Sequence, residues 1–267
     1  MRGITLSTLL AFSSLFFIPQ NLLAQQQLGR YSHEFGNGEA DGVVRETIDS
    51  IVITPMTNAP FTATLDTEWV KGMSNGGTMT LINQRRIARD SKGRIYEERW
   101  ALVPKSGKFK SFMTAIQIAD PQTHVVYTCM MDGKHVCTAA DYTDKAIAAK
   151  VIRGSRSTPL PHDDGFVNLE DLGDGSLEGV DTIGTRVTTT YNAGVLGNDD
   201  PFDIQRETWY SPQLGINLLS KISDPRSGTQ TFTISEITVS EPDAKLFALP
   251  DGFRTADQRV MRSAPAH

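Results

Sequence analysis

Five histidines and a few acid-rich clusters are the residues whose types could do chemistry here, and their spacing argues against most of it. His33, His124, His135, His162 and His267 never fall into a His-x-x-x-His pattern, and none stands at zinc-ligand spacing from a cysteine. His162-Asp163-Asp164 and Asn198-Asp199-Asp200 look like local oxygen and nitrogen ligand sets. Both are short, polar and unsupported by apolar neighbours, so they read as solvated loop tips. Residues 171–175 hold Asp171 and Asp174 but lack the alternating oxygen ligands of a calcium loop, and a plain turn is the reading. Gly175-Ser176-Leu177 has no second glycine to build a nucleophile elbow. A phosphate-cradling Gly-x-x-x-x-Gly-Lys stretch is missing too. Glu97 and Glu98 are adjacent, so on a strand they point to opposite faces and only one can look inward. Facing Arg85, Arg86 or Arg89 across a hairpin, each would add a few tenths to about 1 kcal/mol. The sequence thus nominates no catalytic, cofactor or metal-binding residue.

The remaining chemical candidates are Cys129 and Cys137, the only two cysteines. They flank Met131-Asp132-Gly133-Lys134, a hairpin turn signal. A three-residue loop at 132–134 sets Cys129 opposite Cys137 and allows a disulfide, whereas a two-residue Asp132-Gly133 loop sets Cys129 opposite Val136. An even count in an exported chain favours the bond, and two buried thiols are the alternative. A loop this short would contribute roughly 2 kcal/mol. No Cys-x-x-Cys redox motif is present.

These residues must be positioned by strands. Residues 61–70 alternate Phe61, Ala63, Leu65, Thr67 and Trp69 against polar neighbours, the period of a half-buried strand. Similar segments cover 44–54, 78–90, 94–103, 112–119, 124–130, 135–138, 185–191, 204–210, 216–224 and 229–239, separated by turn signals such as Asn75-Gly76-Gly77 and Asp90-Ser91-Lys92-Gly93. Trp69, Trp100, Trp209 and Tyr210 fall in strands and read as core or cavity wall. Helical signal is limited to residues 144–153 and a turn at 242–246, and residues 154–165 read as a mobile excursion or hinge. The fold class expected is mainly β: an antiparallel meander curled into a half-open barrel, with one or two short helices, able to enclose an apolar cavity.

The start of the chain has the layout of a secretory signal peptide: Arg2, an apolar run over residues 4–18, then Pro19 and a small Ala24. Residues 25–42 read as a flexible lead-in, 43–254 as a single curled β-sheet domain, and 255–267 as a disordered tail. Cleavage after Ala24 removes only Arg2 among charged residues, taking the formal net charge from −5 to −6. An acidic chain carries no overall attraction for nucleic acid or anionic lipid. No later apolar run is long enough to span a bilayer as a helix.

Several segments in order resemble a known superfamily. They are Phe61-Thr62-Ala63-Thr64-Leu65, Arg89-Asp90, Asp120-Pro121, Val125-Val126-Tyr127, Leu177-Glu178-Gly179-Val180, Glu207-Thr208-Trp209-Tyr210, Asp224-Pro225-Arg226 and the closing Glu241-Pro242 to Phe247 stretch. Across residues 43–254 the chain resembles the periplasmic lipoprotein-carrier (LolA/LolB-like) superfamily, and secreted bacterial proteins of that general type. The resemblance implies a half-open β-barrel with an apolar cavity for acyl chains, in the periplasm or outside the cell. The scarcity of helical segments departs from the carriers' helical lid, and no functional residue carries over. The expected partners are a lipid or lipoprotein, held as an apolar ligand, or another envelope protein bound by an interaction or stress-sensing module.

Overall fold

The computed structural model describes residues 30–31, 48–143 and 153–259. Two short strands, β1 (Arg30–Tyr31) and β2 (Ile48–Asp49), pair with each other. Everything else hangs on one 14-stranded sheet that does not close. Its first half is a meander of β3 (Phe61–Gly72), β4 (Thr78–Arg89), β5 (Ile95–Trp100), β7 (Met113–Asp120), β8 (Val125–Met130) and β9 (Val136–Asp141), with β6 (Val103–Pro104) beside β4. The second half runs through β10 (Arg156–Pro159), β11 (Gly165–Leu177), β12 (Val180–Tyr191), β13 (Phe202–Ser211), β14 (Ile216–Asp224) and β15 (Gly228–Thr238). The halves join where β15 pairs antiparallel with β3. This is the mainly β, half-open barrel expected.

β3 sits at that seam and shows why the sheet forms. Phe61, Ala63, Leu65, Thr67 and Trp69 are all buried, while the residues between them are half-exposed. Fully burying a side chain such as Phe61 or Leu65 contributes about 2 kcal/mol. Phe61, Ala63 and Leu65 form the main core on one face of the sheet with Ile87, Ile216, Leu218, Phe232 and Ile234. A smaller core on the other face packs Ala88, Tyr96 and Ile118 against Phe247, from a 3-10 turn at Ala244–Phe247. That turn is where the sequence placed one. The other helix expected, 144–153, falls almost wholly on 144–152, outside the described residues.

The core face is covered by residues 50–60, which contribute Ile51 and Ile53 to the core. Among the described residues of the strand expected at 44–54, only Ile48–Asp49 pairs as a strand, and residues 44–47 lie outside the described residues. Pro55 and Pro60 cannot donate to a ladder, and the carbonyls of Thr54 and Ala59 are taken by the Arg89 side chain instead (2.8 and 2.7 Å).

Three further readings are corrected. Residues 154–165 are no free excursion: β10 pairs with β11, and Pro159 is tolerated because β10 lies at a sheet edge. Residues 171–175 are no turn but the middle of β11, where a bulge between Asp171 and Gly173 absorbs the irregular composition. The sheet is not wholly antiparallel: after returning across the fold, the chain adds β16 (Arg254–Asp257) parallel to β9, so residues 254–257 still belong to the sheet. The lead-in and leader fall mostly outside the described residues, as do residues 260–267.

Candidate functional site

On the core face, apolar packing gives way to polar groups toward the far ends of β3 and β4. Leu65, Thr67 and Trp69 register against Arg85, Asn83 and Leu81, and Phe232 of β15 sits opposite Thr67. Here a pocket of about 20 Å³ opens, with Thr67, Asn83 and Arg85 below and Ile48, Trp100 and Phe232 around it. Arg85 is buried, donates through Nη2 to Ser50 Oγ, and is pulled down to about 10, first by loss of hydration and then by the neighbouring Arg99 charge. Arg99 itself pairs with Glu97 at 2.7 Å and donates to Gln117 Oε1 at 2.7 Å. Arg85 Nε, Thr67 Oγ1 and Asn83 Oδ1 are three of five buried side-chain polar atoms among the described residues without a protein partner. A volume of this size suits one water. It does not suit an acyl chain, so the expected apolar cavity is not found in this part of the core face.

The larger space lies on the opposite face. Asp66 and Glu68 of β3, Ile82 and Gln84 of β4, and Thr231 and Thr233 of β15 floor a cleft of about 570 Å³. That is within the range of roughly 300–1,000 Å³ typical of small-molecule sites. Its wall is the connection between β5 and β7, through Val103, Phe109 and Ser111. Short tethers hold this connection: Val103 and Pro104 pair with Ile82 and Leu81, Lys105 N–H donates to Thr80 O (2.9 Å), and Ser111 Oγ donates to Ala101 O (2.6 Å). Both carboxylates of the floor have partners. Asp66 accepts from Gln84 Nε2 (2.8 Å) and Ser235 Oγ (2.5 Å), and Glu68 accepts from Lys105 Nζ (2.6 Å). Anchored this way they shape and orient more readily than they shuttle protons.

The residues weighed from the sequence are dispersed. His124, His135 and His162 each stand at a left-handed φ in separate turns, and among the described residues no group of three or more His, Cys, Asp or Glu side chains could hold a metal. His162-Asp163-Asp164 and Asn198-Asp199-Asp200 are turn residues, mostly exposed, as read. Glu97 and Glu98 do split between faces: Glu97 bridges Arg99, while Glu98 accepts from Tyr96 Oη (3.0 Å), Trp100 Nε1 (2.8 Å) and the Arg86 amide (3.2 Å). Cys129 and Cys137 face each other directly, are fully buried, and form a disulfide, so the hairpin takes the register of the three-residue loop. The sequence reading passed over residues 104–111. Phe109 and Phe112 among lysines in a turn were the available signal, since a large apolar side chain has no reason to stand in a solvated loop unless it covers or meets something.

No family model matches the chain, and no curated protein matches it. Solved structures do resemble it. The complex of MucA and MucB from Pseudomonas aeruginosa matches at 14% identity over 73% of this chain and 56% of that one, with a TM-score of 0.34. PNGF-II matches at 11% identity over 76% and 32%, with a TM-score of 0.32. The lipoprotein LppX of Mycobacterium tuberculosis matches at 12% identity over 68% and 91%, with a TM-score of 0.29. The chain therefore spans little more than half of the MucA/MucB chain it matches. At this level the likeness concerns the general fold and assigns no ligand or partner. Among the described residues no helix is long and apolar enough to cross a membrane.

Proposed function

We propose that this chain is a secreted or periplasmic binding protein that holds an apolar ligand, a lipid or a lipoprotein acyl chain, against its sheet. The observation that carries this reading is the cleft of about 570 Å³ beneath residues 103–111. Ile82, Val103 and Phe109 offer it apolar surface, the methyl groups of Thr231 and Thr233 add to its floor, and the tied carboxylates of Asp66 and Glu68 leave it suited to binding rather than proton transfer. The test is native mass spectrometry of the exported form, followed by lipid extraction. The expected result is a co-purifying acyl species that is retained in Phe109→Leu and lost in Phe109→Asp. A bare polypeptide mass that does not change when fatty acid is added overturns the reading.

A second reading, a protein-interaction or stress-sensing module of the envelope, is favoured by the open sheet edge at β10. All four of its residues are exposed, and an extended segment of a partner can add to such an edge. A bare mass together with a co-purifying protein chain supports that alternative.

A further inference from the structure

One end of the sheet concentrates exposed apolar side chains and lysines in and beside the same three connections. These are residues 73–77 between β3 and β4, 101–112 between β5 and β7, and 131–135 between β8 and β9. The ladders bring them together: Lys105 N–H bonds to Thr80 O, Ala101 N–H to Phe112 O, and Met131 N–H to Thr114 O. Of nine large apolar side chains exposed among the described residues, five lie in or beside these three connections: Met73, Met79, Phe109, Phe112 and Met130. Phe109 and Phe112 are the most exposed of all, at 64% and 62%. Such clustering marks a contact surface, whereas scattered exposed residues need no explanation.

The charge of this end decides what it contacts. Lys105, Lys108, Lys110 and Lys134 stand here against Glu68 and Asp132, which pair with Lys105 and Lys134. Asp251 and Arg254, next to the last turn, cancel each other. Among the described residues the local excess is positive, although the chain as a whole is at −5. Asp224, at the β14–β15 turn one strand from β3, pairs with Arg226, and the further acidic residues Asp163, Asp164, Asp199 and Asp200 sit in the connections around β11 to β13, several strands away. Lysines flanking protruding phenylalanines match an anionic bilayer surface: the rings enter the boundary between headgroups and acyl chains while the ammonium groups stay among the phosphates.

We propose that this end, led by Lys108, Phe109, Lys110 and Phe112, docks on membranes rich in anionic phospholipid. The contact is reversible, because a few side chains give far less attraction than a spanning segment. It does not depend on an occupied cleft, and Lys108, Lys110 and Phe112 do not line the cleft.

The test is co-sedimentation of the full chain, in its exported form, with vesicles of phosphatidylglycerol mixed into phosphatidylcholine, against vesicles of phosphatidylcholine alone. Binding is expected only to the anionic vesicles and weakens as salt is raised. The double variant Lys108→Ala, Lys110→Ala should lower the partition coefficient on the order of tenfold or more, and Phe112→Ser should lower it at unchanged salt dependence. Circular dichroism and melting temperature check that both variants fold. Absence of binding to anionic vesicles, binding that neither variant alters, or self-association through the acidic connections of a second copy without vesicle binding each overturns the proposal. If the acyl species of the native mass experiment is missing while vesicle binding persists, the cleft reading fails and this one stands.

Discussion

Arg89 Nη2 donates to the carbonyl of Leu214 at 2.6 Å, joining the end of β4 to a turn 125 residues later. The same guanidinium donates to Ala59 O through Nε (3.0 Å) and Nη2 (2.7 Å), and to Thr54 O through Nη1 (2.8 Å), and its Cζ lies 5.1 Å from the centre of the Phe61 ring. A fully buried arginine thus spends its donors on backbone carbonyls of the segment 50–60 and of the β13–β14 turn. Burial pulls its pKa down to about 10, which leaves it charged at neutral pH. It joins three pieces of chain, two of which have no ladder partner at those carbonyls.

Arg89→Met should therefore destabilise the fold by about 3 kcal/mol or more, because it removes the donors that the carbonyls of Ala59 and Leu214 accept from in the interior. Arg89→Lys should recover little, since one ammonium cannot replace a planar fork with three separate acceptors. Urea denaturation measures both. A loss under about 1 kcal/mol in Arg89→Met would mean that water satisfies the carbonyls and that the clamp is incidental.

Cys129 and Cys137 bridge neighbouring strands across a sequence separation of 8 residues. Reduction, or the pair Cys129→Ala and Cys137→Ala, should cost about 2 kcal/mol by the loop-entropy argument. The stability difference is read from denaturation with and without reductant, and the intact protein should weigh two hydrogens less than its reduced form. Identical stability of the two forms would show that the buried β8–β9 pairing alone fixes this hairpin.

Glu207 accepts from Trp209 Nε1 at 2.8 Å and from Arg186 Nη2 at 2.9 Å, and these contacts, the tryptophan first, hold its carboxyl below the ordinary glutamate range. A depressed folded-state value means that the folded chain binds fewer protons. Stability from this group is fully present above the ordinary pKa of about 4.3 and is lost as pH falls below it toward the folded value. Glu207→Gln should flatten the acid limb of a melting-temperature profile as pH falls below about 4.3. Wild-type and variant profiles that run parallel through that window would show that the carboxylate is not preferentially ionised in the folded state.

The strands of the sheet were largely legible because each has its own local signal. Alternation over 61–70 predicted β3 and its buried odd-numbered residues, and Asp90-Ser91-Lys92-Gly93 predicted the hairpin in which Asp90 accepts from the Lys92 and Arg94 amides (3.0 and 2.8 Å). β10 and the acidic β11 were missed because their composition is that of a turn. Residues 165–177 hold a strand through ladder bonds to β12, which overrides local preference. The cleft was illegible for a related reason: its floor takes the outward residues of β15, β3 and β4, and outward polar residues look the same in sequence whether or not a loop hangs over them.

By itself the sequence determined what depends on neighbours along the chain: the mainly β class, the turns, the alternation that assigns each residue to a face, and a hairpin in which the cysteines could meet. Tertiary structure decided what depends on distant pairs. It set β15 beside β3, β16 parallel to β9, Leu214 within reach of Arg89, and lysines from separate connections at one end of the sheet. The physical reason is that side-chain alternation has a period of two and is the same for every partner strand. Strand order is settled only when burial of the whole core selects one set of pairings.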